Sequence, residues 1–143
     1  MLTRLAYSSV ARADLKEDDL QRIIQTCRDF NAAEEITGVL VYTGESFIQI
    51  LEGTDRILDV VLAKIIADDR HYDIEILIRS EITKRAFSKW SMGFLILQDP
   101  DARRFTGLSS YSEILASLTD TWETQDSFIT SCIKMLNHQM CLN

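Results

Sequence analysis

The sequence predicts an α+β domain built on a single β-sheet. Two helix-like segments and five strand-like segments follow one another in the order β-α-β-β-α-β-β. A three-residue link, Thr43-Gly44-Glu45, joins the second and third strands and predicts an antiparallel hairpin. A chain of 143 residues is long enough to bury a substantial core as one domain. Together these observations favour a ferredoxin-like β-α-β-β-α-β arrangement with a fifth strand added.

The first two elements are a strand and a helix. Residues 2–9 alternate with the two-residue period of a strand. The side chains that share one face of this strand are Thr3, Leu5, Tyr7 and Ser9. Apolar residues at helical spacing from residue 20 onwards predict a helix that ends at about Asn31. Asp14, followed three residues later by Glu17, resembles a capping box for the start of that helix.

The next three elements are the hairpin strands and a second helix. Residues 36–42 and 46–51 are apolar runs of strand length on either side of the short link. Gly53-Thr54 is expected to break the second of these strands and to provide a helix N-cap. Residues 56–68 carry apolar side chains at helical spacing and predict an amphipathic helix.

Two strands and a helical tail complete the prediction. Residues 72–82 and 91–97 are expected to be the fourth and fifth strands. This topology puts both helices on one face of the sheet, and a bare apolar face opposite them would be unfavourable. Residues 110–118 predict a short helix, and a second helical stripe follows in Phe128, Ile129, Cys132, Ile133 and Leu136. We therefore divide the chain into a sheet domain, residues 1–98, and a C-terminal helical extension, residues 99–143, that packs on the sheet.

Composition excludes several classes of function. The net charge of −7 argues against direct nucleic-acid binding, which requires basic surface. No apolar stretch approaches the ~20 residues of a membrane span, and the first residues lack a signal-peptide core, so we expect a cytoplasmic protein with no membrane partner. Three widely spaced cysteines and two histidines give no metal-ligand spacing. We expect no metal site.

The usual catalytic signatures are missing from the sequence. Its five glycines form neither a GxGxxG motif nor a Walker loop, and two histidines without an elbow motif support no Ser/His/Asp arrangement. The carboxylate pair Asp68-Asp69 at the end of the second helix is expected to be a solvated turn. The sequence therefore predicts a protein that is not an enzyme.

One polar residue stands out in an apolar strand. Gln49 lies in the run Phe47-Ile48-Gln49-Ile50-Leu51, and a buried amide without partners costs roughly 1–3 kcal/mol. Gln49 is either a core glutamine bound to neighbouring backbone or an amide that faces a ligand. If the first and third strands are adjacent, Tyr7 and Gln49 are cross-strand neighbours whose side chains rise between the helices. Tyr7 as a core aromatic and Asn31 as a helix C-cap are the structural alternatives, and periodicity alone does not decide.

Several segments, in this order and with compatible spacing, resemble the BLUF family of blue-light sensors that bind FAD. The resemblance covers about residues 2–97. Its segments are Leu5-Ala6-Tyr7-Ser8-Ser9, Asn31 followed by Ile36-Thr37-Gly38-Val39-Leu40, Phe47-Ile48-Gln49-Ile50-Leu51-Glu52-Gly53, Asp69-Arg70-His71 and Trp90-Ser91-Met92. Each segment alone would be weak, but the Ile-Thr-Gly, Gln-x-Leu-Glu-Gly and Trp-Ser-Met strands together are highly specific. Residues 1–98 are on this basis expected to be the flavin-binding domain.

The resemblance implies a flavin ring between the two helices. The residues that it places around the flavin are Tyr7, Ile23, Asn31, Gln49, Ile65, Arg70 and His71. Ile23 and Ile65 would form apolar walls, and Asn31 would hydrogen-bond the carbonyl and N3 edge of the ring. Arg70 and His71 match positions that contact the flavin from the opposite side, although His71 could equally be a turn residue.

The resemblance also implies a photochemical mechanism in which no substrate is turned over. Gln49 would bridge Tyr7 and the N5/O4 side of the flavin. Light would drive transfer of an electron and then a proton from Tyr7, and the hydrogen bonds of Gln49 would rearrange to give a reversible red shift. Ser9, Trp90 and Met92 match positions near the glutamine whose role varies within the family, with Trp90 as a core residue the alternative.

Partners and cofactor follow from the same resemblance. FAD is the expected cofactor. Because no glycine-rich phosphate site exists, its tail should be loosely held, and FMN or riboflavin could bind as well. Only 46 residues follow residue 97, too few for a cyclase domain, so the signal should pass to a separate, unidentified protein. We also expect a homo-oligomer. The alternatives are a ferredoxin-like interaction domain that binds no flavin and a small acylphosphatase-like hydrolase.

Overall fold

The protein forms one five-stranded sheet with two helices. The computed structural model describes residues 1–96 together with residues 129, 130 and 132. Its elements are β1 (Leu2–Ala11), α1 (Glu17–Ala33), β2 (Thr37–Tyr42), β3 (Ser46–Thr54), α2 (Asp55–Ala67), β4 (His71–Glu81) and β5 (Gly93–Ile96). The predicted α+β class and the predicted order of elements are both confirmed. In the described part of the chain, no helix is long and apolar enough to cross a membrane.

The strand order places β1 and β3 next to each other in the sheet. The order is β4-β1-β3-β2-β5, with β5 parallel to β2 and the other pairs antiparallel. Tyr7 on β1 is directly opposite Gln49 on β3. The predicted cross-strand pair is therefore confirmed. Since successive side chains of a strand point to opposite faces, this register puts both polar side chains on the same face.

Each face of the sheet carries its own hydrophobic cluster. The cluster under α1 and α2 includes Leu5, Ile24, Leu40, Leu51, Leu58 and Val61, so both helices cover this face. The cluster on the far face includes Ala6, Val39, Ile48, Ile50, Ile78, Phe87, Ile129 and Cys132. Ile129 and Cys132 lie in helical backbone and are buried against this far face. The proposed helix at 110–118, and Phe128, Ile133 and Leu136, lie outside the described residues.

The start of α1 differs from its prediction. The helix begins at Glu17 with Lys16 at the N-cap, and the backbone N–H of Lys16 donates to the Asp19 carboxylate at 3.0 Å. The proposed capping box of Asp14 and Glu17 is wrong because residues 12–15 form a turn, closed by the Leu15 N–H and the Arg12 carbonyl at 3.1 Å. Only half of a capping box forms, because the acidic residue at the third helical position accepts from the N-cap N–H, whereas a lysine side chain has no acceptor for the reciprocal bond.

The ends of the other elements also shift. β3 continues through Gly53 to Thr54, which stands at the N-cap position of α2 but makes no side-chain cap hydrogen bond. β5 begins only at Gly93, so Trp90 and Met92 lie in the connection before it rather than on the strand. We call residues 82–92, between β4 and β5, the β4–β5 connection.

Gly38 is required where β2 and β3 approach most closely. A Cβ at this position would lie 1.9 Å from the backbone oxygen of Ile50, which no rotation of a side chain can relieve. We expect Gly38→Ala to push β2 from β3 and to lower the free energy of unfolding by about 3 kcal/mol, the upper end of overpacking effects. Urea unfolding monitored by circular dichroism measures this loss.

Gly53→Ala provides the matched control for Gly38→Ala. A Cβ at Gly53 would meet only the side chains of Ile36, Ile57 and Leu58, at 3.4, 3.5 and 3.7 Å, which are ordinary contacts. We expect this variant to stay within about 1 kcal/mol of the wild type. Equal stability of the two alanine variants would contradict the close approach at Gly38.

Candidate functional site

A cavity opens between α1 and α2 on the helix-covered face of the sheet. The space between the helices is about 390 Å³, a volume that includes the open solvent at the mouth. Six residues that the sequence proposed for the site line it, namely Tyr7, Ile23, Gln49, Ile65, Arg70 and His71. Ile23 on α1 and Ile65 on α2 are contributed by the two helices. The helices thus provide apolar walls, and β1 and β3 provide the polar groups.

Tyr7 and Gln49 form a buried hydrogen-bonded pair. Both residues are only 3% exposed, and the Tyr7 hydroxyl donates to Gln49 Oε1 over 2.5 Å. The Gln49 amide nitrogen in turn donates to the sulfur of Met92 at 3.4 Å. A glutamine amide has two N–H donors and two acceptor lone pairs. Among the described residues, the amide uses one of each, and its sulfur partner is a weak acceptor.

Burial keeps the Tyr7 phenol protonated. Loss of solvation raises the pKa of Tyr7 far above its ordinary value of 10, and negative charge on Cys27 and Asp68 would raise it further. The hydroxyl therefore remains a hydrogen-bond donor to Gln49 at neutral pH. A phenol held in this form has a proton available for transfer.

The raised pKa of Tyr7 predicts a specific loss of stability in alkali. Above pH 10 the unfolded chain releases the phenolic proton while the folded chain retains it, so stability falls as pH rises. Above pH 10 we expect the free energy of unfolding to fall more steeply in the wild type than in Tyr7→Phe, with a difference that approaches about 1.4 kcal/mol per pH unit. Urea unfolding at pH 9, 10 and 11 measures both slopes. Parallel slopes would contradict a buried, protonated Tyr7.

Asp68 and Arg70 form an ion pair at the cavity lining. The Asp68 carboxylate accepts from the Arg70 guanidinium at 2.6 and 2.9 Å and from the Arg70 backbone N–H at 3.0 Å. These bonds lower the pKa of Asp68, and the same side-chain bonds raise the pKa of Arg70. The prediction of a solvated turn is wrong for Asp68, which lines the cavity, whereas Asp69 is exposed.

His71 is held by two hydrogen bonds at the cavity. Its Nε2 lies 2.7 Å from the Ile65 carbonyl, and its Nδ1 lies 2.7 Å from the Ser9 hydroxyl. A carbonyl oxygen only accepts, so Nε2 carries the proton, and in the neutral ring Nδ1 accepts from Ser9. Ser9 is buried on β1 and connects β1 to His71 at the start of β4.

Asn31 lies outside the cavity lining. It is buried two residues before the end of α1, and its amide nitrogen donates to the Ser91 carbonyl at 2.7 Å. The interpretation of Asn31 as a C-cap is wrong, because α1 continues to Ala33 with Glu34 as its C-cap. The side chain instead joins α1 to the β4–β5 connection.

Trp90 and Met92 lie on opposite sides of the sheet. Met92 belongs to the cluster beneath the helices, where its sulfur meets Gln49 and its carbonyl accepts from Arg28 Nε at 3.1 Å. Trp90 is half-buried and packs against the far-face cluster. The β4–β5 connection therefore contacts both faces within three residues.

Four cavity residues were missed by the sequence analysis, namely Cys27, Leu40, Phe47 and Asp68. Helical spacing from Ile23 could have indicated Cys27, one turn further along α1. Phe47 precedes Gln49 by two residues and therefore lies on the same face of the sheet. Leu40 on β2 is the cross-strand partner of Gln49. Only Asp68, beyond the end of α2, carried no periodic signal.

The cavity, its buried tyrosine–glutamine pair and its sheet order agree with the comparison to known families. The family model described as "BLUF: Sensors of blue-light using FAD" matches residues 2–93. The chain belongs to the BLUF family. Residues 2–93 are thus a flavin-binding blue-light sensor domain, and the match favours this interpretation over an interaction domain without flavin.

The chain matches short parts of two much longer curated relatives. The chain is 32% identical over 92 residues to the "Blue light- and temperature-regulated antirepressor BluF" of Escherichia coli K12, covering 64% of the chain and 23% of that protein. It is 31% identical over 156 aligned residues to the "Photoactivated adenylate cyclase subunit beta" of Euglena longa, covering 98% of the chain and 18% of the relative. The chain thus spans less than a quarter of either relative.

Solved BLUF structures have the same fold over most of the chain. The structure described as "BlsA photo-activated state" superposes with a TM-score of 0.78 at 29% identity, covering 92% of this chain and 94% of that one. The dark-state structure of "BlrB - a BLUF protein" gives a TM-score of 0.76 at 27% identity, covering 91% and 93%. The ferredoxin-like BLUF architecture is therefore confirmed.

Proposed function

We propose that Tyr7 and Gln49 are the photoactive pair of this blue-light sensor and that the cavity above them holds the flavin ring. The observation that carries the proposal is the hydrogen bond of 2.5 Å between the Tyr7 hydroxyl and Gln49 Oε1, buried at the base of the cavity. The presence of a polar amide in the apolar strand β3 is explained if a ligand in the cavity provides a further hydrogen-bond partner for Gln49.

The donor set of the cavity fits a flavin ring. Ile23 and Ile65 offer apolar surface to the faces of a planar ring, and Gln49 retains one N–H and one lone pair among its described contacts. Arg70 and His71 line the cavity and would contact the ring from the side away from Gln49. Asn31 lies outside the lining of this cavity, so its hydrogen bonds to the carbonyl and N3 edge of the ring are proposed from the family resemblance alone.

The chain's contribution to the light response is a reversal of one amide. A bound flavin would supply blue-light absorption and a reversible acceptor for one electron and one proton. Tyr7 would give that electron and proton from its phenol and later take both back, and Gln49 would rotate or tautomerise in between, while its bond to Tyr7 is broken. Because an amide both donates and accepts, reversal exchanges the groups that face Tyr7 and Met92. The low dielectric of the buried pair enlarges the effect of that exchange.

We further propose FAD as the flavin used in the cell, with FMN and riboflavin able to replace it. The residues proposed to contact the flavin all lie around its ring, and the chain contains no glycine-rich phosphate loop to bind the tail. Titration of the flavin-free protein with the three flavins should give dissociation constants within about tenfold of one another. A loss of more than about a hundredfold for riboflavin would instead show that the chain holds the phosphate-bearing tail.

The output of the sensor is proposed to be a protein contact. Burial of Ile129 and Cys132 against the far face supports the assignment of residues 99–143 as a helical extension that packs on the sheet. Trp90 packs against the same cluster, so it is one candidate relay, and Met92 is the other. One relative is named an antirepressor and another an adenylate cyclase subunit, so outputs differ among relatives. A homo-oligomer, a cytoplasmic location and the absence of direct nucleic-acid binding stay predictions.

The colour of the purified protein tests the function. We expect yellow protein whose flavin band shifts to the red under blue light and returns in darkness. Alternating blue and dark periods in an absorbance spectrometer measure the shift, and red light serves as the control. Protein that stays colourless after expression with excess flavin would contradict the proposal, as would yellow protein without a reversible shift.

A further inference from the structure

A carboxylate is buried on the face of the sheet opposite the cavity. Glu52 lies on β3 with no exposed surface, and Arg4 is its cross-strand partner on β1. Arg4 donates to Glu52 Oε2 from Nη2 at 2.8 Å and from Nε at 3.1 Å. A buried charge is tolerated only with a counter-ion and additional hydrogen bonds. The additional bonds of Glu52 come from the β4–β5 connection.

Glu52 anchors the middle of that connection through both carboxylate oxygens. Oε1 accepts the backbone N–H of Phe87 at 2.8 Å, and Oε2 accepts the backbone N–H of Ala86 at 3.0 Å. Arg85 adds a third anchor, since its Nη1 donates to the Glu52 backbone carbonyl at 2.9 Å. The Phe87 side chain is fully buried in the far-face cluster. The connection is thus fixed to β3 at residues 85–87.

The end of the same connection reaches the photoactive pair. Ser91 accepts from the Asn31 amide at 2.7 Å, and the Met92 sulfur accepts from the Gln49 amide at 3.4 Å. Trp90 N–H donates to the Phe87 carbonyl at 3.1 Å, which closes a turn between the two anchored ends. Gln49 and Glu52 belong to one strand, so β3 holds the connection from both of its faces.

We propose that Glu52 is a positioning residue for the Gln49 amide. By fixing residues 86 and 87, its carboxylate holds the Met92 sulfur against Gln49 and slows the return of the amide after illumination. The proposal rests on the function proposed above and assigns to Glu52 no contact with flavin. A glutamine at this position would keep the shape but offer one acceptor oxygen and an NH₂ group, which cannot accept the second backbone N–H.

The Glu52→Gln variant is expected to show the red shift under blue light, and this shift should decay in darkness faster than in the wild type. One backbone N–H of the connection loses its acceptor and Arg4 loses its counter-ion, so Met92 moves aside more readily when the amide turns. We expect recovery to accelerate about tenfold, the factor that corresponds to one buried hydrogen bond. Absorbance decay after a blue-light pulse measures the rate.

A double-mutant cycle shows whether Glu52 acts through Met92. Met92→Ala removes the sulfur that accepts from Gln49. In this background, Glu52→Gln should change the recovery rate less than about twofold, because the contact that Glu52 positions is already absent. Equal acceleration by Glu52→Gln in both backgrounds would overturn the proposal.

Two further variants separate positioning from general destabilisation. Ile78→Val removes a methylene from the same far-face cluster without removing a hydrogen bond. This variant should have a lower melting temperature, but its red shift should decay in darkness at the wild-type rate. Glu52→Asp keeps the charge with a shorter reach and should accelerate recovery less than Glu52→Gln. It replaces the glutamine variant in the cycle if that variant does not fold.

Two further outcomes distinguish a failure of the positioning role of Glu52 from a failure of the proposed photoreceptor function. Wild-type recovery in a folded Glu52 variant, or equal acceleration in Ile78→Val, would overturn the positioning role while leaving the photoreceptor function intact. Wild-type protein that binds flavin but shows no red shift would overturn the proposed function and the positioning role with it.

Discussion

Gln49→Leu is expected to bind flavin normally and to show no light-induced red shift. Leucine suits the apolar strand, but it neither accepts from the Tyr7 hydroxyl nor donates to the Met92 sulfur. Nothing at position 49 can then exchange donor and acceptor, so the light-minus-dark difference spectrum should be flat. The unpaired Tyr7 hydroxyl should also lower the free energy of unfolding by about 1–3 kcal/mol.

Gln25→Leu is a suitable control for that result. Gln25 carries the same amide on the exposed side of α1, where it donates to Asp29 at 2.9 Å. Removal of this amide should leave the red shift and its recovery unchanged. A normal red shift in Gln49→Leu would contradict the role assigned to Gln49, whatever the control shows.

Tyr7→Phe, like Gln49→Leu, is expected to bind flavin and to show no light-induced red shift. The ring that fills the base of the cavity is retained, but the phenolic proton and the 2.5 Å hydrogen bond to Gln49 are lost. Since the proposed chemistry takes both an electron and a proton from the phenol, the red shift should disappear. Flavin fluorescence should rise because transfer from Tyr7 no longer competes with emission. Both signals can be recorded on one sample.

Tyr42→Phe tests whether the effect belongs to Tyr7 alone. The Tyr42 hydroxyl donates to the Gly44 carbonyl at 3.0 Å, in the hairpin between β2 and β3. Its loss should leave both the red shift and the flavin fluorescence at wild-type values. A red shift of normal size in Tyr7→Phe would show that another group supplies the electron and proton, and the mechanism proposed here would be wrong.

The order and type of the elements were predictable because both depend on local side-chain periodicity. The seven described helices and strands follow the predicted order, and the Thr43-Gly44-Glu45 link gave the hairpin. Topology then placed β1 beside β3, which made the Tyr7–Gln49 pair predictable before any distance was known. The family resemblance was needed to choose between a core amide and a ligand-facing one.

The errors occurred where tertiary contacts override local signals. Asp14 had the right spacing for a capping box, but a turn displaced the helix start to Glu17. Trp90 and Met92 belong to an apolar run that looks like a strand, yet both precede β5, and their side chains belong to opposite faces of the sheet. Asp68 looked like a solvated carboxylate until its pairing with Arg70 placed it at the cavity.

The class of the fold, the proposed photoactive pair and the family all followed from the amino-acid sequence and its family resemblance. These features depend on periodicity and on motifs that are contiguous in the chain. The groups that surround Gln49, and the bonds that hold those groups, depend instead on packing between segments that are distant in the chain. Met92 reaches the amide 43 residues away, and Glu52 binds the connection 34 and 35 residues further along the chain. Such partners are chosen by packing across the sheet, because a buried amide or carboxylate takes whichever complementary group the fold brings within hydrogen-bond distance.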